Sequence, residues 1–92
     1  MPAVSASPYN LNLFPNPINY GGITVTYDLP ANSLVEFKIT DCIGRILTTL
    51  PQKQETEGTH RQEVNVSNFA EGVYLFVAII NGQQKVIKFI KL

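Results

Sequence analysis

The 92-residue sequence has no tryptophan and one residue each of cysteine, histidine and methionine. A lone Cys42 cannot close a disulfide within the chain. With His60 as the only histidine, no Cys/His metal cluster can be assembled, so no metal site and no cofactor are expected. Charge of one sign is also missing: seven basic residues balance seven acidic ones. That balance leaves no electrostatic footprint for nucleic acid or for an anionic membrane surface. No apolar run approaches the roughly 20 residues of a membrane helix. The first ten residues carry no Lys or Arg ahead of an apolar stretch, so no secretory signal peptide is read there. Converging catalytic groups are absent as well. Asp28, Glu36, Asp41, Glu55, Glu57, Glu63 and Glu71 each read as a turn former or a solvated strand position. Cys42 with His60 has neither an elbow nor a helix N-terminus to activate the thiol. No enzyme is expected, because no nucleophile, base and orienting group come together.

What the chain has is alternation. Apolar residues make up 45% of it, enough for one core that buries about 60–70% of the unfolded surface. Nearly every apolar run steps by two over five to nine residues, the period of strands. Ile23, Val25, Tyr27 and Leu29 alternate with Thr24, Thr26 and Asp28; Gly21-Gly22 turns the chain before this run, and Pro30 ends it. Val35, Phe37 and Ile39 follow, interleaved with Glu36, Lys38 and Thr40. Asp41-Cys42-Ile43-Gly44 then suits a type I turn closed by a left-handed glycine, leading into a strand from Arg45 to Leu50. Residues 51–58, PQKQETEG, show no apolar period and read as an exposed loop. His60, Gln62, Val64 and Val66 share one face of the next strand. The run Val73 to Ile80 is apolar on both faces. Asn81-Gly82 is a two-residue type I′ turn that fixes the last hairpin, pairing Val77 with Val86, Phe76 with Ile87 and Tyr74 with Phe89. One face of that hairpin carries Tyr74, Phe76, Ala78, Ile87 and Phe89 and is expected to be core. The other carries Val73, Leu75, Val77, Val86 and Ile90 with Lys88 among them; left uncovered, it is an apolar patch of the kind that marks a binding surface.

Six long strands and a short one at residues 11–14 predict an all-β fold, an immunoglobulin-like antiparallel sandwich of about seven strands. Gly72-Val73-Tyr74 suits a tyrosine whose hydroxyl returns to the preceding corner. Asn65-Val66-Ser67 matches a glycosylation acceptor, a common chance match. Lysines at steps of three along the last strand guard an edge against aggregation, and the same edge, where open, can pair with a second copy to give a homodimer.

The order of these motifs resembles the type A C-terminal sorting domain of the type IX secretion system of Bacteroidota. The resemblance runs from Phe14-Pro15-Asn16-Pro17 through the Thr24–Pro30 strand ending in Leu-Pro. It continues through Lys38-Ile39-Thr40-Asp41 with Gly44-Arg45, Gly58-Thr59-His60, and Gly72-Val73-Tyr74, to Lys88-Phe89-Ile90-Lys91. It implies a linker and start of the first strand over residues 1–13 and a sorting domain over 14–92, with Met1 to Tyr9 as linker. The proline pair reads as a stiff entrance that cannot be drawn into the sheet as another ladder, although its leucines and phenylalanine can pack.

In this family the domain is a non-catalytic export signal. It directs cargo through the outer-membrane translocon and is often removed by a cell-surface sortase that anchors the cargo on lipopolysaccharide. The resemblance therefore implies the type IX machinery and a surface sortase as partners. It also implies transit through the periplasm to the cell surface or medium, and a larger parent protein carrying its own Sec signal. It assigns recognition to Gly72, Val73, Tyr74, Lys88, Phe89, Ile90, Lys91 and Leu92, with Lys88 and Lys91 expected to keep their charges solvated. Cleavage is implied at the small residues Ala3, Val4, Ser5, Ala6 and Ser7. The rival reading is an adhesion or carbohydrate-binding sandwich module, which should offer exposed aromatic side chains. Only Tyr9 and Tyr20 are placed for that.

Overall fold

The computed structural model describes residues 9–92, and every regular element in them is a strand. In chain order these are β1 (Asn12–Phe14), β2 (Gly22–Leu29), β3 (Ser33–Asp41), β4 (Ile46–Glu55), β5 (Gly58–Asn65), β6 (Gly72–Ile80) and β7 (Gln83–Lys91). They form two antiparallel sheets of order β1-β2-β5 and β4-β3-β6-β7. The sheets pack face to face as a sandwich of the expected immunoglobulin-like kind.

Alternation sorts the side chains into layers, since successive residues of a strand point to opposite faces. Ile23, Val25, Tyr27 and Leu29 of β2 face Val35, Phe37 and Ile39 of β3 and Tyr74, Phe76, Ala78 and Ile80 of β6 in one buried cluster. Phe89 joins it from β7, with its ring 5.6 Å from that of Tyr74. Full burial of such a side chain contributes about 1.5–3 kcal/mol. Ile87, on the same face of the last hairpin, is half-buried beside the open edge.

The Asn81-Gly82 hairpin takes the expected register, and the Asp41–Gly44 turn closes on a left-handed glycine as its residues suggest. Across Asn81-Gly82, Val77 pairs with Val86, Phe76 with Ile87 and Tyr74 with Phe89. At Asp41–Arg45 the Gly44 amide donates to the Asp41 carbonyl at 3.0 Å, and the Asp41 amide to the Arg45 carbonyl at 3.0 Å. Gly44 has φ +92°, a conformation that costs a glycine nothing and any other residue strain.

Three expectations are corrected. Residues 51–55 are not loop: β4 runs on through Pro51 to Glu55 along the outer edge of its sheet. The strand absorbs its proline in a bulge. Between the pairs Phe37–Leu50 and Val35–Lys53 the register shifts, with β3 advancing two residues while β4 advances three. Tyr9 is not linker; its ring is 8% exposed within the core and its carbonyl accepts the Asp28 amide at 2.7 Å. Glu55 is not solvated, because its side chain is 8% exposed between the sheets.

Candidate recognition surface

The proline-rich entrance is a strap. After β1, the bonds Phe14–Pro15 and Asn16–Pro17 are both cis. The chain then lies along the outer edge of β7, where Ile18 makes a single parallel bridge to Lys91. The Ile18 amide donates to the Ile90 carbonyl and the Leu92 amide to the Ile18 carbonyl, both at 2.8 Å. Asn16 does with its side chain what a strand does with its backbone. Its Nδ2 donates to the Lys88 carbonyl at 3.1 Å and its Oδ1 accepts the Ile90 amide at 3.1 Å. The entrance thus meets the sheet through one isolated bridge and adds no further ladder to it, as expected of its prolines. Pro17 lacks an amide to donate, and the neighbouring carboxamide supplies donor and acceptor in its place.

The recognition residues expected from sequence divide between two faces of the β6–β7 hairpin. Tyr74 and Phe89 point into the core, 8% and 0% exposed. The Tyr74 hydroxyl donates to the Ala70 carbonyl, the corner contact expected of it. Gly72 opens β6 opposite Lys91. Lys91 departs from expectation: it is 7% exposed, and its Nζ donates to the Phe69 carbonyl at 3.0 Å. Its ammonium thereby ties down the corner before β6. Val73, Lys88, Ile90 and Leu92 remain on the outside.

That outer face is not covered by the second sheet. Register places Val73 beside Ile90, Leu75 beside Lys88 and Val77 beside Val86. On the other side of β6, Leu75 lies beside Thr40 and Val77 beside Lys38. Val86 is 50% exposed, and Val73 and Ile90 are each 39% exposed. The result is an apolar strip carrying the Lys88 ammonium, next to the strapped end of the sheet. Sequence periodicity found this face; nothing periodic could have found Asn16 or the Lys91 tether, which depend on carbonyls more than twenty residues away.

A second polar cluster joins the two sheets. Tyr27 donates to Glu55 Oε1 at 2.7 Å, and His60 Nδ1 lies 3.1 Å from the same oxygen. His60 Nε2 is 2.6 Å from the Thr56 carbonyl, and its ring stacks on Tyr27. Burial, reinforced by the Glu55 hydrogen bond and charge, pushes the Tyr27 hydroxyl far above its ordinary pKa. Glu55 Oε2 has no hydrogen bond and lies 3.5 Å from Lys53 Nζ, an ion pair too long for direct donation. These contacts join β4 of one sheet to β2 and β5 of the other. Cys42 sits exposed in the β3–β4 turn, at the end of β4 remote from His60, so the imagined thiol and imidazole are not brought together. A surface hollow of about 530 Å³ lies between Gly21–Thr24 and Glu63, Val64, Asn65 and Ser67. None of its lining residues is aromatic, which offers no platform for a sugar ring.

Comparison with known proteins agrees with this architecture. No curated protein matches the chain. Among solved structures it is similar to PorZ of Porphyromonas gingivalis, described as an essential bacterial surface component of the type IX secretion system. The two share 27% identity at a TM-score of 0.53, over 89% of this chain and 11% of that one. The chain thus spans about a tenth of the length of that relative. Residues 12–92 match the family described as the secretion system C-terminal sorting domain. With a strapped terminal strand, an uncovered outer face and a match over most of its length, the chain belongs to the C-terminal sorting domains of type IX secretion, a family of sorting signals rather than of catalysts.

Proposed function

We propose that the outer face of the β6–β7 hairpin, with Val73, Val86, Lys88 and Ile90 beside Leu92, is the surface by which the type IX machinery reads this domain. One observation carries the reading: the domain leaves this apolar strip uncovered although its own second sheet buries the opposite face. Gly72, Tyr74, Phe89 and Lys91 act through the fold, by setting the corner and anchoring β7. The domain is carried by a larger secreted or surface protein, consistent with the small fraction of PorZ that it spans. A surface sortase cuts within Ala3–Ser7, which lies outside the described residues.

The test is export of a Sec-targeted reporter fused ahead of residues 1–92 in a Bacteroidota host with a working translocon. Lys88→Glu and Ile90→Asp should hold the reporter in the periplasm while leaving the thermal midpoint of the isolated domain nearly unchanged. Lys91→Met loses a charge-assisted hydrogen bond and should lower stability by about 1.5–3 kcal/mol. Normal export of the Lys88→Glu and Ile90→Asp fusions would overturn the surface assignment. Mass spectrometry of the exported reporter reads the cleavage site, and a product that retains residues 1–7 intact would remove the sortase from the scheme.

A further inference from the structure

The sandwich has four strand edges, and three of them are guarded. β1 is three residues long. β4 contains Pro51 and two register shifts. The Asn16–Ile18 strap covers the end of β7, whose remaining length carries Lys85 and Lys88. Those lysines would face their own copies in a symmetric pairing, where like charges repel. β5 has no such protection. It pairs with β2 without interruption from Gly58 to Asn65, contains no proline and has no neighbour on its other side. An unguarded edge of this length is a template for another strand.

The direction of the edge groups follows from one bond. The Val66 amide donates to the Gly21 carbonyl, so the even-numbered residues of β5 spend their backbone groups on β2. Thr59, Arg61, Glu63 and Asn65 therefore turn theirs outward. Their side chains are exposed on the polar outer face of the sheet. Arg61 and Glu63 are already in contact within the strand, with Nε to Oε2 at 3.2 Å.

We propose that the domain self-associates through β5, antiparallel and two-fold symmetric, with Gln62 opposite Gln62 of the second copy. In this register every outward-facing residue meets an outward-facing residue: Arg61 meets Glu63 of the second copy, Glu63 meets Arg61, and Thr59 meets Asn65. The intrachain ion pair becomes a ring of four alternating charges, and opposite charges directly across a pair stabilise it. The half-buried Gln62 carboxamides, lying on the axis, can donate and accept between themselves. To do so Gln62 releases the Glu63 carbonyl, which its Nε2 now holds at 2.9 Å, and frees that carbonyl for the partner strand. The two three-stranded sheets become one of six strands.

Sedimentation equilibrium of the 92-residue chain from about 1 μM to about 1 mM tests this, because an edge contact of modest area falls in that range. The wild type should dimerise as concentration rises, with amide exchange slowing at Thr59, Arg61, Glu63 and Asn65 and not at their even-numbered neighbours. Arg61→Glu and Glu63→Arg each set like charges across both symmetric pairs and should weaken the dimer about tenfold or more. An equimolar mixture of the two variants restores opposite charges and should form a heterodimer. Glu63→Pro removes one outward amide without touching the β2 ladder and should be monomeric yet folded. A wild type that stays monomeric throughout, a dimer insensitive to both charge reversals, or protection that appears on β7 instead would overturn the proposal.

Discussion

Replacing Asn16 with alanine removes two of the four hydrogen bonds that hold the strap to β7, leaving the two made by Ile18, and takes nothing from the core. The carboxamide is exposed, and its bonds to the Lys88 carbonyl and the Ile90 amide are each 3.1 Å. Bonds of this kind contribute about 0.5–1 kcal/mol each, so Asn16→Ala should cost about 1–2 kcal/mol. In a domain of this size each kcal/mol moves the thermal midpoint by about 4–8 °C, which makes the expected fall about 4–16 °C. The loss should also be local. Exchange of the Ile90 amide should accelerate, while Phe89, whose backbone groups face β6, keeps its protection below the global limit. Asn16→Asp separates the two halves of the contact: it keeps an acceptor for Ile90 and faces the Lys88 carbonyl with a carboxylate, so it should be no more stable than Asn16→Ala. Calorimetry and native-state exchange on the three proteins decide the matter. If both variants melt within about 1 °C of the wild type and Ile90 exchanges unchanged, the Asn16 contact carries no energy and the reasoning fails.

Phe89→Ala should be far more damaging, costing about 3–5 kcal/mol in urea unfolding, because a fully buried ring stacked on Tyr74 leaves a cavity behind; a loss below about 1 kcal/mol would mean that β7 is not an integral part of the core. Asp41 predicts a pH effect. Hydrogen bonding from the Arg45 backbone amide, then from that of Ile43, together with the Arg45 guanidinium, outweighs desolvation and holds its carboxyl below the usual range. A depressed folded pKa gives stability that is present above the unfolded value of about 3.9 and is lost as pH falls through the folded value. Asp41→Asn should therefore flatten the acid limb of the stability curve below about pH 4, and an unchanged limb would refute the assignment.

Most of the strands that were legible in the sequence are those whose two faces differ. β2, β3 and β7 alternate because one side of each meets the core; β6, apolar on both faces, is marked by its β-rich run and by the Asn81-Gly82 turn, which fixes its register against β7 without further information. The end of β4 was illegible for the complementary reason. Residues 51–54 are exposed on both faces of an edge strand, so no apolar period marks them, and a proline argues against a strand until a bulge accommodates it. The proposed recognition surface follows the same period. Alternation separates Val73, Lys88 and Ile90 from Tyr74, Phe89 and Lys91, so parity alone sets Lys91 on the core side. What parity does not reveal is the partner of its ammonium, the Phe69 carbonyl at the corner that Tyr74 also ties down. Asn16 gave no local sign of its task, since a carboxamide standing in for a strand has no period at all.

The strap also orders events in time. Asn16 and Ile90 are 74 residues apart along the chain, so their contact closes a loop of most of its length. That closure returns little energy until β6 and β7 are already paired, because the groups Asn16 grips exist as an edge only then. Closure of the strap is expected to follow β6–β7 pairing, and the Ile90 and Leu92 amides should exchange at lower free energy than the amides bonded between β6 and β7. Until it closes, β7 presents its whole outer edge, and the finished domain differs from its immediate precursor at the end of the strand where Lys88, Ile90 and Leu92 stand. A receptor docking there would be timing the completion of folding as well as reading an address.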